Sequence, residues 1–275
     1  MNPPFHPNTF RPELVIRPQE LVNILNDRIR IVDLRPDSAV NQDFIPGAIR
    51  LDYGQLIRKA GMVEGMLPEL EALTALISSL GIDPDTRVIA YDENSGIRAT
   101  RLLWTLYVCS HQNVTLLDGG IKAWKKAGLP IETTPAISTP KPYTCTIDES
   151  VVAELDHVMD SLDNHDRCIL DVRSYEEYIG NDIRAKRGGH IPSACIYEWD
   201  NVLDDHNQLR NPDEILAELL EAGVDPKHEI IPYCQSHRRS AHMFHILKWL
   251  GYPRVCAYHG SWSEWGNSES TPIET

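Results

Sequence analysis

The 275-residue sequence predicts an α/β fold made twice over: two domains, each with a central, mainly parallel sheet flanked by helices on both faces. Three observations carry that expectation. First, Leu80-Gly-Ile-Asp-Pro84 returns as Ala222-Gly-Val-Asp-Pro226, and the same offset of 142 lays Tyr91-Asp92 over Tyr233-Cys234 and Ala99–Val108 over Ala241–Leu250. Upstream, Ile31–Arg35 (IVDLR) matches Ile169–Arg173 (ILDVR) and Ile45-Pro-Gly-Ala48 matches Ile191-Pro-Ser-Ala194, at offsets of 138 and 146. Loop lengths differ, then, while the order of elements is kept. Second, short continuous apolar runs alternate with helical stretches, the pattern of strands buried on both faces. Third, 31.1 kDa is about the length of two ordinary domains.

Each half is expected to run through the same elements. A helix opens it: Pro18–Asn26 in the first copy, and in the second a helix N-capped by Ser150 and reaching Leu162. A strand ending in Asp-x-Arg follows, then an irregular segment and a helix (Pro68–Leu80; Pro212–Ala222). Next come a strand (Arg87–Tyr91; Glu229–Tyr233), a helix that starts close behind it, and a last strand (Asn113–Leu117; Arg254–Ala257) leading to a glycine-containing turn. Between the copies, Thr133–Thr144 carries three prolines and no helical period. The expected division is a domain over 15–132, a stiff Pro/Thr-rich linker over 133–149 and a second domain over 150–275.

Composition removes whole classes of function. Apolar residues at 42% and charged residues at 24% suit a chain that buries a core, not a disordered one. A net charge of −14 argues against nucleic acid as a partner. No apolar run approaches the roughly 18–20 residues that span a bilayer, so no membrane is expected. The first ten residues show no secretory signal peptide. The six cysteines form no CxxC pair and no zinc-like spacing, and are too sparse for a disulfide scaffold. That reads as a protein of the reducing cytoplasm, with no metal and no cofactor expected.

In open α/β sheets the ligand crevice lies beyond the carboxyl ends of the strands. In the second copy, that place is Tyr233-Cys-Gln-Ser-His-Arg-Arg-Ser240. A short loop running into a helix can turn its backbone N–H groups inward and cradle an anion. A cysteine at its base, close to His237, Arg238 and Arg239, is expected to ionise below the ordinary thiol range. The alternative, a buried core thiol, leaves the basic neighbours unexplained. The other five cysteines lack such neighbours and read as packing residues.

These residues carry a family resemblance. The duplicated Asp-x-Arg strand, the Ile-Pro-x-Ala turn, Asp118-Gly119-Gly120 and Cys234 at the mouth of a six-residue loop resemble a tandem rhodanese over roughly residues 15–270. The loop Cys-Gln-Ser-His-Arg-Arg is similar to the Cys-Gln-Thr-His-x-Arg loop of bacterial thiosulfate sulfurtransferases. It is less like the uncharged Cys-Gly-Ser-Gly-Val-Thr loop of mercaptopyruvate enzymes. The resemblance implies that the C-terminal copy is catalytic and that Cys234 takes the outer sulfur of thiosulfate as a persulfide and passes it to cyanide or another thiol. It also implies a non-catalytic first domain, where Asp92 stands at the cysteine position. Gln235, Ser236, His237, Arg238, Arg239, Arg173 and Arg187 are the expected donor-binding residues, the donor being a small anionic sulfur compound and the acceptor a thiophile or an acceptor protein.

Several points stay open in the sequence. Which of Arg238 and Arg239 faces the site is one; whether His237 acts as an acid or only as a donor is another. Arg173 also reads as a structural partner of Asp171, as Arg35 does of Asp33. Glu177 occupies the position where a donor-binding arginine is usual, with Arg184, Lys186 and Arg187 nearby as substitutes. Mercaptopyruvate transfer, or a persulfide carrier with little turnover, are the other readings. A Cys-x5-Arg phosphatase is disfavoured, because the sixth residue after Cys234 is Ser240. Trp262 and Trp265 are candidates for a pocket wall, and His242 and His245 for helix packing in preference to a metal. Pro232 interrupts the strand entering the loop and predicts a local kink.

Overall fold

A computed structural model of the chain describes residues 10–26, 28–93 and 95–275. The first nine residues and Asn94, which fall within the N-terminal stretch and the Asp92 loop discussed above, lie outside the described residues. The first half contains β1 (Val15–Ile16), α1 (Pro18–Leu21), β2 (Ile29–Asp33), β3 (Ile49–Arg50), β4 (Arg58–Ala60), β5 (Val63–Met66), α2 (Leu70–Ser79), β6 (Arg87–Tyr91), α3 (Ala99–Val108), β7 (Val114–Leu117) and α4 (Gly120–Lys126). The second contains β8 (Val152–Ala153), α5 (Leu155–Met159), β9 (Arg167–Asp171), α6 (Tyr175–Tyr178), β10 (Cys195–Ile196), α7 (Pro212–Glu221), β11 (Glu229–Tyr233), α8 (Arg239–Trp249), β12 (Ala257–Tyr258) and α9 (Ser261–Trp265).

The first half is a parallel sheet in the order β1-β7-β6-β2-β3. Alternation along its strands supplies two apolar faces. Val32, Val88, Ala90 and Leu116 pack with α2 and α3, while Ile31, Ile89, Tyr91 and Leu117 pack with α1 and α4. The second half repeats the scheme: Leu170 and Ile230 join α7 and α8, and Ile169, Ile231 and Tyr233 join α5 and α9. The α3 and α8 faces belong to a single apolar core shared by both halves, with Tyr107 edge-on to Phe244 at 5.7 Å. All ten residues of α3 are buried.

The second sheet is split, and Pro232 supplies the reason. Its β10-β9-β11 portion and its β12-β8 pair are joined only by a bridge between Ile230 and Val255, with Ile230 and Cys256 both bonded across it. Two residues on, Pro232 points the same way and has no N–H to give. Its counterpart Ala90 keeps the first sheet continuous by pairing with Leu116. The expected kink is thus a break in the ladder.

The opening helices are shorter than expected. Ser150 lies in a 3-10 turn capped by Asp148, the β-branched run after it becomes β8, and α5 starts only at Leu155. In the first copy α1 ends at Leu21, where the Asn23 side chain bonds the Gln19 carbonyl. The cysteine expectation also needs correction: Cys109 and Cys145 form a disulfide. The segment after the first domain folds back along it, through Ala136 to Ala48, Lys141 to Ser78 and Asp148 to Val108, and so brings Cys145 against the end of α3. Sparse cysteines therefore do not establish an all-thiol protein. Among the described residues, no helix is long and apolar enough to cross a membrane.

Asp118 joins the halves: its Oδ1 accepts from the Leu209 amide at 2.9 Å, and the side chain is buried. Burial is the main influence on its pKa and pushes it up to about 6, against the bond from Leu209. A carboxyl that holds its proton more tightly when folded stabilises the fold fully below about pH 4 and loses that contribution as pH rises through about 6. Asp118→Asn keeps the acceptor and removes the titration. Its stability relative to the parent protein is expected to improve by about 3 kcal/mol between pH 4 and pH 7.5. Denaturant unfolding across that range checks it, and a constant difference contradicts it.

Candidate functional site

The loop after β11 turns its amides inward because its carbonyls are held from outside. The Trp262 amide at the start of α9 donates to the Cys234 carbonyl at 2.8 Å, and that of Ser263 to the Gln235 carbonyl at 2.9 Å. The His237 carbonyl accepts from Arg101 Nη1 at 3.1 Å. His237 takes the left-handed conformation at φ +52, a costly choice for a residue with a side chain, and this closes the loop into α8. Gly65 of β5 lies against the outside of the ring: a Cβ there would meet the Ser236 carbonyl oxygen at 2.5 Å. Only glycine permits that approach.

At the base of the ring, Cys234 is 1% exposed. Its Sγ faces the Ser236 and Ser240 amides and lies 3.5 Å from Ser240 Oγ. Burial opposes ionisation of the thiol, but the charge of Arg239, the Ser240 hydroxyl and these amides together outweigh it, and the pKa is lowered. His237 is fully buried, edge-on to Trp104 at a ring separation of 4.1 Å, and its Nδ1 is 2.8 Å from Ser240 Oγ. Burial, with Arg101 and His259 nearby, depresses its pKa well below the usual histidine range. The ring is therefore neutral. With the proton on Nδ1 it donates to Ser240, leaving the Ser240 hydroxyl proton free for the sulfur. In that tautomer the ring orients Ser240.

The two arginines separate. Arg239 turns inward and makes a bidentate pair with Glu177, at 2.6 and 2.8 Å, while Arg238 is exposed. Ionised Glu177 is buried and has its pKa depressed to about 2, since Arg239 and the Ser174 amide overcome the burial cost. Glu177 therefore fixes the cation that faces the thiol. The Arg184 guanidinium approaches Glu177 at 3.8 Å, and Lys186 is exposed, its amide bonded to Asn267. Gln235 reaches the Arg184 carbonyl at 3.0 Å and lines a cleft of about 250 Å³ between Gly61, Met62 and Glu64 on one side and Arg184 and Ser263 on the other.

Two expected donor ligands are elsewhere. Arg173 is buried, with Nε and Nη2 on Asp171, Nη2 also on the Gly189 carbonyl, and its plane 4.4 Å from the Trp262 ring. It is a structural partner, like Arg35 on Asp33 and Asp43 in the first copy. Arg187 binds carbonyls of Trp265, Ser268 and Thr271 and so pins the C-terminal segment. Trp262 and Trp265 are core residues bonded to the Arg187 and Pro272 carbonyls, not pocket walls. His245 Nε2 donates to the Leu14 carbonyl, 2.9 Å away, and His242 is buried against Trp199; both are packing residues of α8.

Sequence reasoning missed the contribution of α3. Arg101 is buried without a carboxylate at hand among the described residues and binds carbonyls of Leu56, Gly65, Met66 and His237. Burial lowers its pKa to about 10, opposed by Tyr53 and by the Cys234 sulfur. An arginine as the one charged residue of α3, at the position of Met243 in the other copy, was the signal. Asp92 in turn shows what the first loop does: its carboxylate accepts from the Gly96 and Arg98 amides at 2.9 and 2.8 Å. Arg98 is the counterpart of Ser240, so in the first copy the Asp92 carboxyl accepts from an amide equivalent to one that faces the Cys234 sulfur.

If Glu177 balances Arg239, Glu177→Gln should lower the midpoint of pH-dependent alkylation at Cys234 by about one unit, or about 1.4 kcal/mol. Ser240→Ala should raise it. Peptide-resolved alkylation rates test both, and unmoved midpoints would show that neither group acts on the thiol.

The rhodanese-like domain family matches the chain twice, over residues 17–127 and 152–268. A protein named thiosulfate sulfurtransferase from Azotobacter vinelandii is 35% identical over 262 residues, covering 95% of this chain and 97% of that one. The sulfur carrier protein TtuD of Thermus thermophilus is 30% identical over 277 residues, covering 95% and 96%. Among solved structures, an anaerobic ergothioneine biosynthesis enzyme from Chlorobium limicola superposes with a TM-score of 0.86 at 24% identity, over 96% of this chain and 70% of that one, which bears on the fold alone. With both halves matched and the loop in place after β11, the chain belongs to the rhodanese family, with two rhodanese-like domains.

Proposed function

We propose that this protein is a thiosulfate sulfurtransferase, with the domain over 150–275 catalytic, that over 15–132 its non-catalytic cover, and residues 133–149 the link. The observation that carries the reading is the buried Cys234 sulfur facing inward amides and a fixed cation. In the proposed cycle the Cys234 thiolate attacks the outer sulfur of thiosulfate. The S–S bond of the donor breaks, sulfite leaves with its electron pair, and a Cys234 persulfide anion remains. Cyanide or a thiolate then takes the terminal sulfur and restores the thiolate. The amides of Ser236 and Ser240 hold the negative sulfur in both states, as an oxyanion hole holds oxygen. Arg238, exposed at the ring, draws the dianion in, and Gln235 lines its path. A cytoplasmic location belongs to this reading, the buried Cys109–Cys145 bond being shielded from thiol exchange.

A persulfide carrier is the second reading. It is favoured by Glu177, whose charge neutralises Arg239 where a donor-binding arginine is usual, and by the carrier name of the Thermus relative.

Cys234→Ala is expected to abolish thiosulfate-to-cyanide transfer, a loss of at least about a thousandfold, while Cys195→Ala keeps most activity. Steady-state rates measure this, and near-parental turnover of Cys234→Ala sinks the assignment. Intact-mass measurement separates the readings: a stable one-sulfur adduct with negligible turnover on thiosulfate and mercaptopyruvate identifies a carrier.

A further inference from the structure

At the opposite end of β11 from the cysteine loop, three side chains of different chemistry converge. His157 of α5 places Nε2 at 2.9 Å from Glu229 Oε2 at the start of β11, and 3.8 Å from Sγ of Cys256, just before β12. All three potential ligand atoms lie within 4.8 Å of one another. They come from three separate elements, and no step of sulfur transfer uses them. Zinc in tetrahedral sites has bonds of about 2.0–2.3 Å to nitrogen, oxygen and sulfur, so its ligand atoms are separated by about 3.3–3.6 Å. The two measured separations bracket that edge. Cys256 is buried, whereas the His157 and Glu229 side chains are 32% and 22% exposed, which leaves an open side for entry and for a water.

We infer that His157, Glu229 and Cys256 form a binding site for a borderline-soft divalent cation of the zinc type. The ligand set selects it: a thiolate and an imidazole disfavour magnesium and calcium, and a carboxylate and a thiolate together balance the charge of a dication. On binding, the Cys256 thiol proton leaves to solvent and Sγ bonds the metal. The His157 ring coordinates through Nε2 with its proton on Nδ1, and a water fills the fourth position. No group is oxidised or reduced. Arg167, whose Nε is 3.1 Å from the same Glu229 oxygen, stays paired through the other carboxylate oxygen.

The site flanks the Ile230–Val255 bridge, the short hydrogen-bonded join between β11 and the β12 segment. Beyond the Ile230–Val255 bridge, Pro232 ends the pairing of β11 toward β12, and a metal held by Glu229 and Cys256 would clamp those strands together and α5 to both. The bound ion is thus structural, and its effect is on the stability of the half that carries Cys234.

The test uses the full chain carrying Cys234→Ser, so that the reactive thiol does not compete, with Cys195→Ala added in a parallel sample. Zinc chloride should bind at one equivalent by calorimetry and raise the unfolding midpoint, and cobalt chloride should give a thiolate-to-metal charge-transfer band. Cys256→Ser should abolish the band, and the half-exposed His157→Gln should weaken zinc binding at least about tenfold; Cys195→Ala should change neither. Absence of one-equivalent binding, or binding and a band that survive both substitutions, overturns the site and leaves the three residues as a hydrogen-bonded cluster. His157→Gln keeps the test decisive should Cys256→Ser fail to fold.

Discussion

The chemistry of this protein rests on where a handful of carbonyl groups point. A peptide unit that directs its oxygen outward directs its N–H inward, and the loop from Cys234 to Ser240 is held in that sense by donors belonging to its surroundings. Trp262 and Ser263 grip its first two carbonyls and Arg101 a later one. Without those anchors the amides would be free to face water, and a thiolate buried at 1% exposure would lose most of what offsets its desolvation. The cationic side chains add to this field, but they act on a site whose polarity the backbone has already set.

The duplicated first half serves as an internal comparison. Its loop has the same backbone sense, and Asp92 occupies it with a carboxylate bonded to the amides of Gly96 and Arg98. One copy therefore presents a carboxyl side chain and the other a thiol to inward-facing amides. The comparison separates the inward-facing amides, which both copies possess, from the thiol, which stands in the second copy alone. The same pairing of copies explains the divided sheet: where Ala90 continues the ladder, Pro232 stops it.

Much of this was legible in the sequence. The repeat, the continuous apolar strands and the position of Cys234 after one of them are local properties, and local chemistry fixes them. The loop residues Gln235 to Arg239 were found together for the same reason. The failures were of another kind. Charge and nearness in sequence point Arg173 and Arg187 at the donor, but the fold commits the first to Asp171 and the second to the C-terminal segment. Arg101 and Gly65 act on a loop more than a hundred residues away, a relation that exists only once α3 and α8 share a core. Cys109 and Cys145 were likewise read singly, since nothing in their spacing says that the intervening chain doubles back.

Gly65 gives that dependence a wider meaning. Its missing side chain matters to a carbonyl of the other half, at Ser236, so the copy with Asp92 at the cysteine position is not at liberty to drift. Gene duplication is commonly pictured as releasing one descendant from selection. Here the first descendant has become part of the mould in which its sister is cast, and a half exchanged with that of a distant relative would have to bring a matching surface with it.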